Sequence, residues 1–369
     1  MIGALGRAAR GLARRTGERL FEAIQIEVTS RCNIRCVMCP VTELADRWHS
    51  QHLAWDVFLR LVPALRRVKF VHLQGWGEPL LHPRLFDMIT VAKDAGCRVG
   101  FTTNGTLLGP LAAERLLDLD LDLLAVSIAG ATPATHAAIR VGSDLPDILA
   151  RVRDLLALRA RRHSRRPKVE FLFLMTRTNI AELPAAVRLA ASLGADELAA
   201  TNLDYIPSSA QDALKAFACE SQRDTFARVV EEARATARAA GLAFRAYPLD
   251  PEEVAVCEAN PLKILFVSSD GRVSPCTYMG LAGQAEVPRV FDGQLLNVPR
   301  LCFGDVRVQE LLEIWETPAY EAFRQRFAAR RRAGVVSAVG AVAQVGMVRA
   351  KVLPAAPEPC RSCPKLYGL

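Results

Sequence analysis

Six strand-like apolar runs, at residues 21–28, 68–74, 98–102, 122–128, 168–175 and 197–205, alternate with segments whose apolar residues recur at helical spacing. Between residues 83 and 96, Leu85, Met88, Ile89 and Ala92 share one helical face and Gly96 supplies the stop. Between 180 and 194, Leu183, Val187 and Ala190 do the same. Strands separated by helices must pair in parallel, and connections of one hand place the helices on one side, so the sheet curves into a barrel or part of one. In such a fold ligands gather at the C-terminal ends of the strands, which is where chemistry-bearing residues are to be sought.

The first strand runs into EVTSRCNIRCVMCP, where Cys32, Cys36 and Cys39 form a C-x3-C-x2-C triplet. Three thiolates can hold a [4Fe-4S] cluster and leave one iron without a protein ligand, free to bind a small molecule. The competing reading is structural zinc, which needs a fourth ligand. The nearby histidines, His49 and His52, lie beyond a loop containing Pro40. The second strand ends in Gly75-Trp76-Gly77-Glu78-Pro79. Glycines admit close approach of backbone to ligand and a carboxylate accepts from an ammonium, although the same run alone makes an ordinary turn. The third and fourth strand ends supply Asn104, in an Asn-Gly turn, and Ser127.

The triplet spacing, the Gly-x-Gly-Glu-Pro run one βα unit later and the six units resemble the radical S-adenosylmethionine (SAM) superfamily. The resemblance implies a partial (β/α)6 TIM-like barrel with a small C-terminal α+β auxiliary cluster domain. It implies an open iron that chelates the amino and carboxylate groups of SAM, and a reduced cluster whose electron cleaves SAM to methionine and a 5′-deoxyadenosyl radical. It assigns Gly75, Trp76, Gly77 and Glu78 to the SAM amino group, with Trp76 standing where the family has a second glycine. It places Met38 and Met175 against adenine and makes Asn104 and Ser127 further SAM contacts. Arg140, in ATPATHAAIRVGS, falls to the SAM carboxylate, which a guanidinium can take bidentately. A surface arginine and a core methionine are the plain alternatives for Arg140 and Met175.

A second cysteine set lies near the C-terminus. Cys257 and Cys276 flank LKILFVSSDGRVSP, in which two β-like runs meet at Ser269-Asp270-Gly271, and Cys360 and Cys363 form a C-x2-C pair. A hairpin with a thiolate at each end, joined by a distant pair, can close four ligands around one metal centre. By spacing, zinc fits as well as iron and sulfide. The layout resembles the twitch form of the SPASM region, which implies one auxiliary [4Fe-4S] cluster with full cysteine ligation. Gly304, Ile314 and Trp315 match that region's Gly-Asn-Val and Ile-Trp signature. Cys97, Cys219 and Cys302 are left outside both sets.

These markers divide the chain into a basic segment (1–20), the barrel (21–210), a bridging helix (211–241) and the auxiliary domain (242–369), the last interrupted by a Val, Ala and Gly-rich stretch at 333–357. Ten cysteines with no signal-like start suit a reducing cytoplasm, and no apolar run of about 18 residues predicts a membrane span. The net charge of +8 comes from arginine clusters without interleaved aromatics, so no nucleic-acid partner is expected. The first cluster alternatively suits an anionic membrane surface or a partner.

The resulting expectation is a radical SAM oxidoreductase that abstracts hydrogen and passes an electron to the auxiliary cluster, reduced by a donor such as flavodoxin or ferredoxin. Its twitch layout is similar to that of aminocyclitol dehydrogenases, which implies oxidation of a small-molecule alcohol. A peptide- or protein-modifying maturase acting on a short segment is the alternative, and an iron-sulfur scaffold or a zinc-binding non-enzyme is the competing class. Asp204 and Tyr205, at the sixth strand end, are the positions from which a base would reach the substrate. Anaerobically purified protein should contain about eight irons, and the Cys32/Cys36/Cys39 triple Ala variant about four, with a SAM-induced spectral change only in the wild type; iron and sulfide assay with electron paramagnetic resonance checks this.

Overall fold

A computed structural model describes residues 19–343 and 353–369. The six runs form β1 (Phe21–Ile26), β3 (Val68–His72), β4 (Arg98–Thr103), β5 (Leu123–Ile128), β7 (Lys168–Leu174) and β8 (Glu197–Thr201), which lie side by side and parallel in that order. Two short strands, β2 (Arg35–Cys36) and β6 (Arg140–Val141), make a separate antiparallel ribbon in which Cys36 lies opposite Arg140.

The sheet does not stop at residue 210. The helix Arg223–Ala240, expected as a bridge, packs on the helix Leu183–Leu193 and ends on left-handed Gly241. It delivers β9 (Ala243–Ala246), which pairs in parallel with β8. On the other edge β10 (Ile264–Val267) pairs in parallel with β1, followed by antiparallel β11 (Arg272–Ser274) and β14 (Gly304–Asp305). One ten-stranded sheet therefore crosses the expected division between barrel and auxiliary domain, and it remains open between β14 and β9.

Alternation along the strands sorts the side chains. Ile24, Val71, Phe101, Leu124, Phe171 and Phe173 join the core with the helices, whereas Gln25, His72, Thr102, Ser127, Leu172 and Leu174 turn to a cavity on the other face. The same alternation corrects one expected contact. Met175 is fully buried in the core and contributes nothing to the cavity, because Leu174 and Leu172 hold that face of the strand.

The auxiliary region is fastened to the sheet by aromatic packing. The Trp315 ring meets Phe21 of β1 edge-on with centroids 4.9 Å apart, and the Arg324 guanidinium sits 3.8 Å over it. Gly304 must be glycine, since a Cβ there would lie 2.6 Å from Ile314. The β10–β11 turn is the expected one, with Gly271 at φ +79. A further hairpin, β12 (Glu286–Phe291) and β13 (Gln294–Pro299), turns on Asp292-Gly293, both at positive φ.

Of the basic N-terminal segment, residues 1–18 lie outside the described residues; Arg19 donates to the carbonyls of Val68 and Gly96. The helix Pro318–Ala343 runs into the stretch expected as an insert, of which 344–352 lie outside the described residues. Among the described residues no helix is long and apolar enough to cross a membrane.

Asp270 anchors the β10–β11 turn: Arg300, itself almost buried, donates to both its oxygens at 2.8 and 3.0 Å. Burial works to raise the Asp270 carboxyl, but the hydrogen bonds and charge of Arg300 outweigh it and hold the group well below the usual carboxylate range. With a depressed folded pKa, the pair contributes fully above the unfolded carboxylate pKa of about 4 and its contribution is lost as pH falls further. Asp270→Asn should cost about 3 kcal/mol at neutral pH, because it strands a buried guanidinium, and the cost should shrink in acid; denaturant unfolding at several pH values measures both.

Candidate active site

The chain leaves β1 through Glu27, a carboxylate with no exposed surface. One of its oxygens accepts from the Trp76 amide at 3.0 Å, and the other from the amide and hydroxyl of Ser269 at 2.9 and 2.8 Å. Burial raises its pKa against these donors. Glu27 thus joins the strand end that feeds the cysteine triplet, the Gly75–Glu78 segment and the hairpin between Cys257 and Cys276. Sequence reasoning passed over it, although a carboxylate inside the apolar run IQIEV was a legible signal.

The two glycines of the second strand end follow from this closeness. A Cβ on Gly75 would lie 2.2 Å from the Glu27 side chain, and one on Gly77 would lie 2.4 Å from the Arg31 carbonyl and 2.5 Å from that of Thr29. The Gly77 segment is pressed against the backbone entering Cys32, and the Glu78 amide donates to the Arg31 carbonyl at 2.8 Å. Trp76, where the resemblance expects glycine, turns its ring into the cavity beside Tyr205 and Tyr278, with centroids 5.5 and 6.2 Å away.

Glu78 is buried and its oxygens are taken by protein donors: the Thr103 hydroxyl and Asn104 amide, both at 2.7 Å, and the Leu80 amide at 3.1 Å. Burial pushes its pKa up to about 7 despite them. This carboxylate braces two strand ends behind the cysteine loop and does not line the cavity, and neither do Gly77 and Asn104. The Asn104 amide nitrogen donates to Asn33 at 3.0 Å and faces the Cys32 sulfur at 3.9 Å, so its place is on the loop that holds the triplet.

Cys36, Cys39, Met38, Gly75, Trp76, Ser127 and Arg140 do meet, on one cavity of about 570 Å³. The β2–β6 ribbon brings Arg140 there: its Nη1 lies 3.8 Å from the Cys36 sulfur, and its buried Nε has no partner among the described residues. Burial, then the neighbouring Cys36, push the Cys39 thiol up to about 12, and burial raises Cys32 as well. Buried thiols that repel one another and an unpaired guanidinium suit a cationic cluster beside a carboxylate-bearing ligand. The residues present fit a [4Fe-4S] cluster with SAM.

The same cavity reaches Cys276 at its far end. Behind it, Cys257, Cys276, Cys360 and Cys363 ring a small apolar cavity of about 30 Å³, with Phe327 and Met279 in its wall. Burial, then repulsion from Cys363, push the Cys257 thiol up to about 12, and burial raises Cys276 and Cys360 further. Among the described residues no three His, Cys, Asp or Glu side chains converge on a single ion. His52 instead packs edge-on against His82, and His49 accepts from the Ser30 hydroxyl through its carbonyl. Cys302 is exposed and donates to the Gly304 carbonyl, and Cys97 is a buried thiol donating to the Leu65 carbonyl. Cys219 is buried at a helix start, its sulfur 3.8 Å from the Gln222 side chain.

Asp204 and Tyr205 line the cavity, but both are engaged. Lys365, buried two residues after Cys363, reaches Asp204 and Glu258 at 2.6 Å each, and Tyr278 donates to the other Asp204 oxygen at 3.0 Å. Burial raises the Asp204 pKa, opposed by the Lys365 charge. The Tyr205 hydroxyl donates to the Pro288 carbonyl at 2.7 Å, so its ring and not its hydroxyl faces inward. Tyr247, also on the cavity, donates to Glu258 and carries the Lys365 ammonium 4.3 Å from its ring centroid; Lys365, Glu258, Tyr278 and Tyr247 were missed in the sequence because they come from four separate segments.

A family model for the radical SAM superfamily matches residues 26–190, and one for an iron-sulfur cluster-binding domain, SPASM, matches residues 257–336. The tungsten-containing aldehyde ferredoxin oxidoreductase cofactor-modifying protein of Pyrococcus furiosus is 28% identical over 308 residues, 82% of each chain. The PqqA peptide cyclase of Ruegeria pomeroyi is 27% identical over 82% of this chain and 76% of its own. Among solved structures, Streptococcus suis SuiB bound to S-adenosylmethionine aligns over 83% of this chain and 68% of that one, with a TM-score of 0.62 at 15% identity. The structure of anSMEcpe with bound AdoMet aligns over 82% of this chain and 80% of that one, with a TM-score of 0.60 at 17% identity. At these identities the likeness is one of fold.

Gly77→Ala should push the cysteine loop off its support and lower iron occupancy of the first site, leaving that of the C-terminal site intact. Arg140→Lys should keep iron but weaken SAM binding roughly tenfold or more, since it loses the forked guanidinium. Iron assay and SAM titration followed spectroscopically distinguish the two effects.

Proposed function

The chain belongs to the radical SAM superfamily and carries an iron-sulfur cluster-binding SPASM domain, and on that premise we propose that it oxidatively modifies a side chain of a peptide or protein segment. Its cofactors are SAM and [4Fe-4S] clusters, which when bound supply a 5′-deoxyadenosyl radical for hydrogen abstraction and an acceptor for the electron left on the substrate. The observation that carries the reading is the single cavity lined by Cys36 and Cys39 of the first set and by Cys276 of the second. A substrate held there lies between the two cysteine sets.

The protein's own groups divide the work along that cavity. Arg140 offers its free Nε to the SAM carboxylate, and Ser127 and Met38 border the nucleoside. Trp76, Tyr205 and Tyr278 form an aromatic wall that excludes water from the radical path, and the Asp204–Lys365–Glu258 cluster closes the far end with fixed charges. Because Lys365 holds Asp204, that carboxylate orients the site more readily than it removes a proton. The reducing electron for the first cluster comes from a flavodoxin- or ferredoxin-type donor.

A pocket of about 570 Å³ lies within the ordinary range for ligand sites. Peptide cyclases recur among the curated relatives, which supports a peptide substrate over the small-molecule alcohol suggested by the cysteine layout. The test uses anaerobically reconstituted enzyme, SAM and reductant with two fractions of source cells grown in deuterated medium, one peptide and one small-molecule. Deuterium in 5′-deoxyadenosine with the peptide fraction is expected. Deuterium with the small-molecule fraction alone would overturn the peptide reading in favour of alcohol dehydrogenation.

A further inference from the structure

Arg289 and Arg330 are the largest side chains that are almost wholly buried. Arg330 has a carboxylate, Glu253, at 2.7 Å. Arg289, 1% exposed on β12, has no carboxylate at ion-pair distance among the described residues. Its donors go to the carbonyls of Pro359 at 3.0 Å and Tyr278 at 3.4 Å, and to the Met279 sulfur at 3.2 Å. Carbonyls and a thioether do not neutralise a guanidinium that stays protonated at any working pH, so a buried cation here needs an anion that these contacts do not provide.

The neighbours show where that anion belongs. Pro359 precedes Cys360, and Tyr278 and Met279 follow Cys276, so the guanidinium ties together the two segments that carry those cysteines. The nearest acids of the cavity, Asp204 and Glu258, are already held by Lys365.

We propose that Arg289 is the built-in counter-charge of the C-terminal cluster and raises the potential at which that cluster accepts an electron. A cluster held by these cysteines would gain one negative charge on taking the single electron left on a substrate radical, and a buried positive charge bonded to the Pro359, Tyr278 and Met279 wall of their cavity would favour that reduced form. β12 also couples the cation to the substrate cavity: Val290 donates to the Ile206 carbonyl at 2.7 Å and Pro288 accepts from Tyr205. The inference depends on the iron-sulfur content of the C-terminal site and is independent of the substrate.

The test is a redox titration of the holoenzyme followed by electron paramagnetic resonance, reading the signal that SAM does not perturb, in wild type, Arg289→Gln and Arg289→Lys, each with iron assayed. With full iron, Arg289→Gln should lower the reduced-to-oxidised ratio at a given potential at least tenfold, which is about 59 mV for one electron, and Arg289→Lys should restore most of it. If Arg289→Gln loses the C-terminal irons while Arg289→Lys retains them, the charge is needed to hold the cluster, which also supports the proposal. An unchanged potential in iron-replete Arg289→Gln, an equal drop in both variants, or loss of the irons from both would overturn it and leave Arg289 a structural tie. Because no substrate enters the titration, failure here is distinct from failure of the peptide-modifying reading.

Discussion

Much of this architecture hangs on a carboxylate placed where water cannot reach it. Glu27 ends β1, and its two oxygens are divided between Trp76 on one neighbouring strand end and Ser269 on the hairpin turn beyond the other. A buried acceptor left without its donors costs several times what a typical hydrogen bond contributes, so the three segments are held in mutual register by the penalty for separating them. One of those segments enters the cysteine triplet, one lies under it, and the third lies between Cys257 and Cys276 of the other set. The spacing between the two sites is therefore set at Glu27, between the strands that lead to them.

Both cysteine sets are built in the same electrostatic manner. Each gathers thiols whose burial and mutual repulsion oppose ionisation, and each places beside them one buried arginine, Arg140 at the first and Arg289 at the second, that has no carboxylate at ion-pair distance among the described residues. The cavity between them shows the opposite economy, with Asp204, Glu258 and Lys365 satisfying one another, so its far wall is fixed before any substrate arrives.

What could be read without coordinates was what depends on local order. The six parallel strands and the turn at Gly271 stand where alternation and turn chemistry put them. The reading ran short wherever partners come from distant segments. The helix Arg223–Ala240 has the pattern of any amphipathic helix, and only its packing on Leu183–Leu193 reveals that it leads to another strand of the same sheet. Met175 sits one residue beyond the side chains that face the cavity, a parity that a strand boundary uncertain by one residue cannot resolve. The β12–β13 hairpin carried its Asp-Gly signal in plain view, but its flanking strands mix charged and apolar residues without clear alternation.

The sequence by itself determined the fold class and the membership of the radical SAM superfamily, because these rest on local periodicity and on short spacings that chain geometry preserves. Tertiary structure decided which residues meet. It gave Glu78 the donors of Thr103, Asn104 and Leu80, gave Asp204 to Lys365, buried Arg289 beside the segments that carry Cys276 and Cys360, and set cysteines of both sets on one cavity. The physical reason is that burial and charge pairing are sums over neighbours brought together by folding, and such sums are not written in any single stretch of chain.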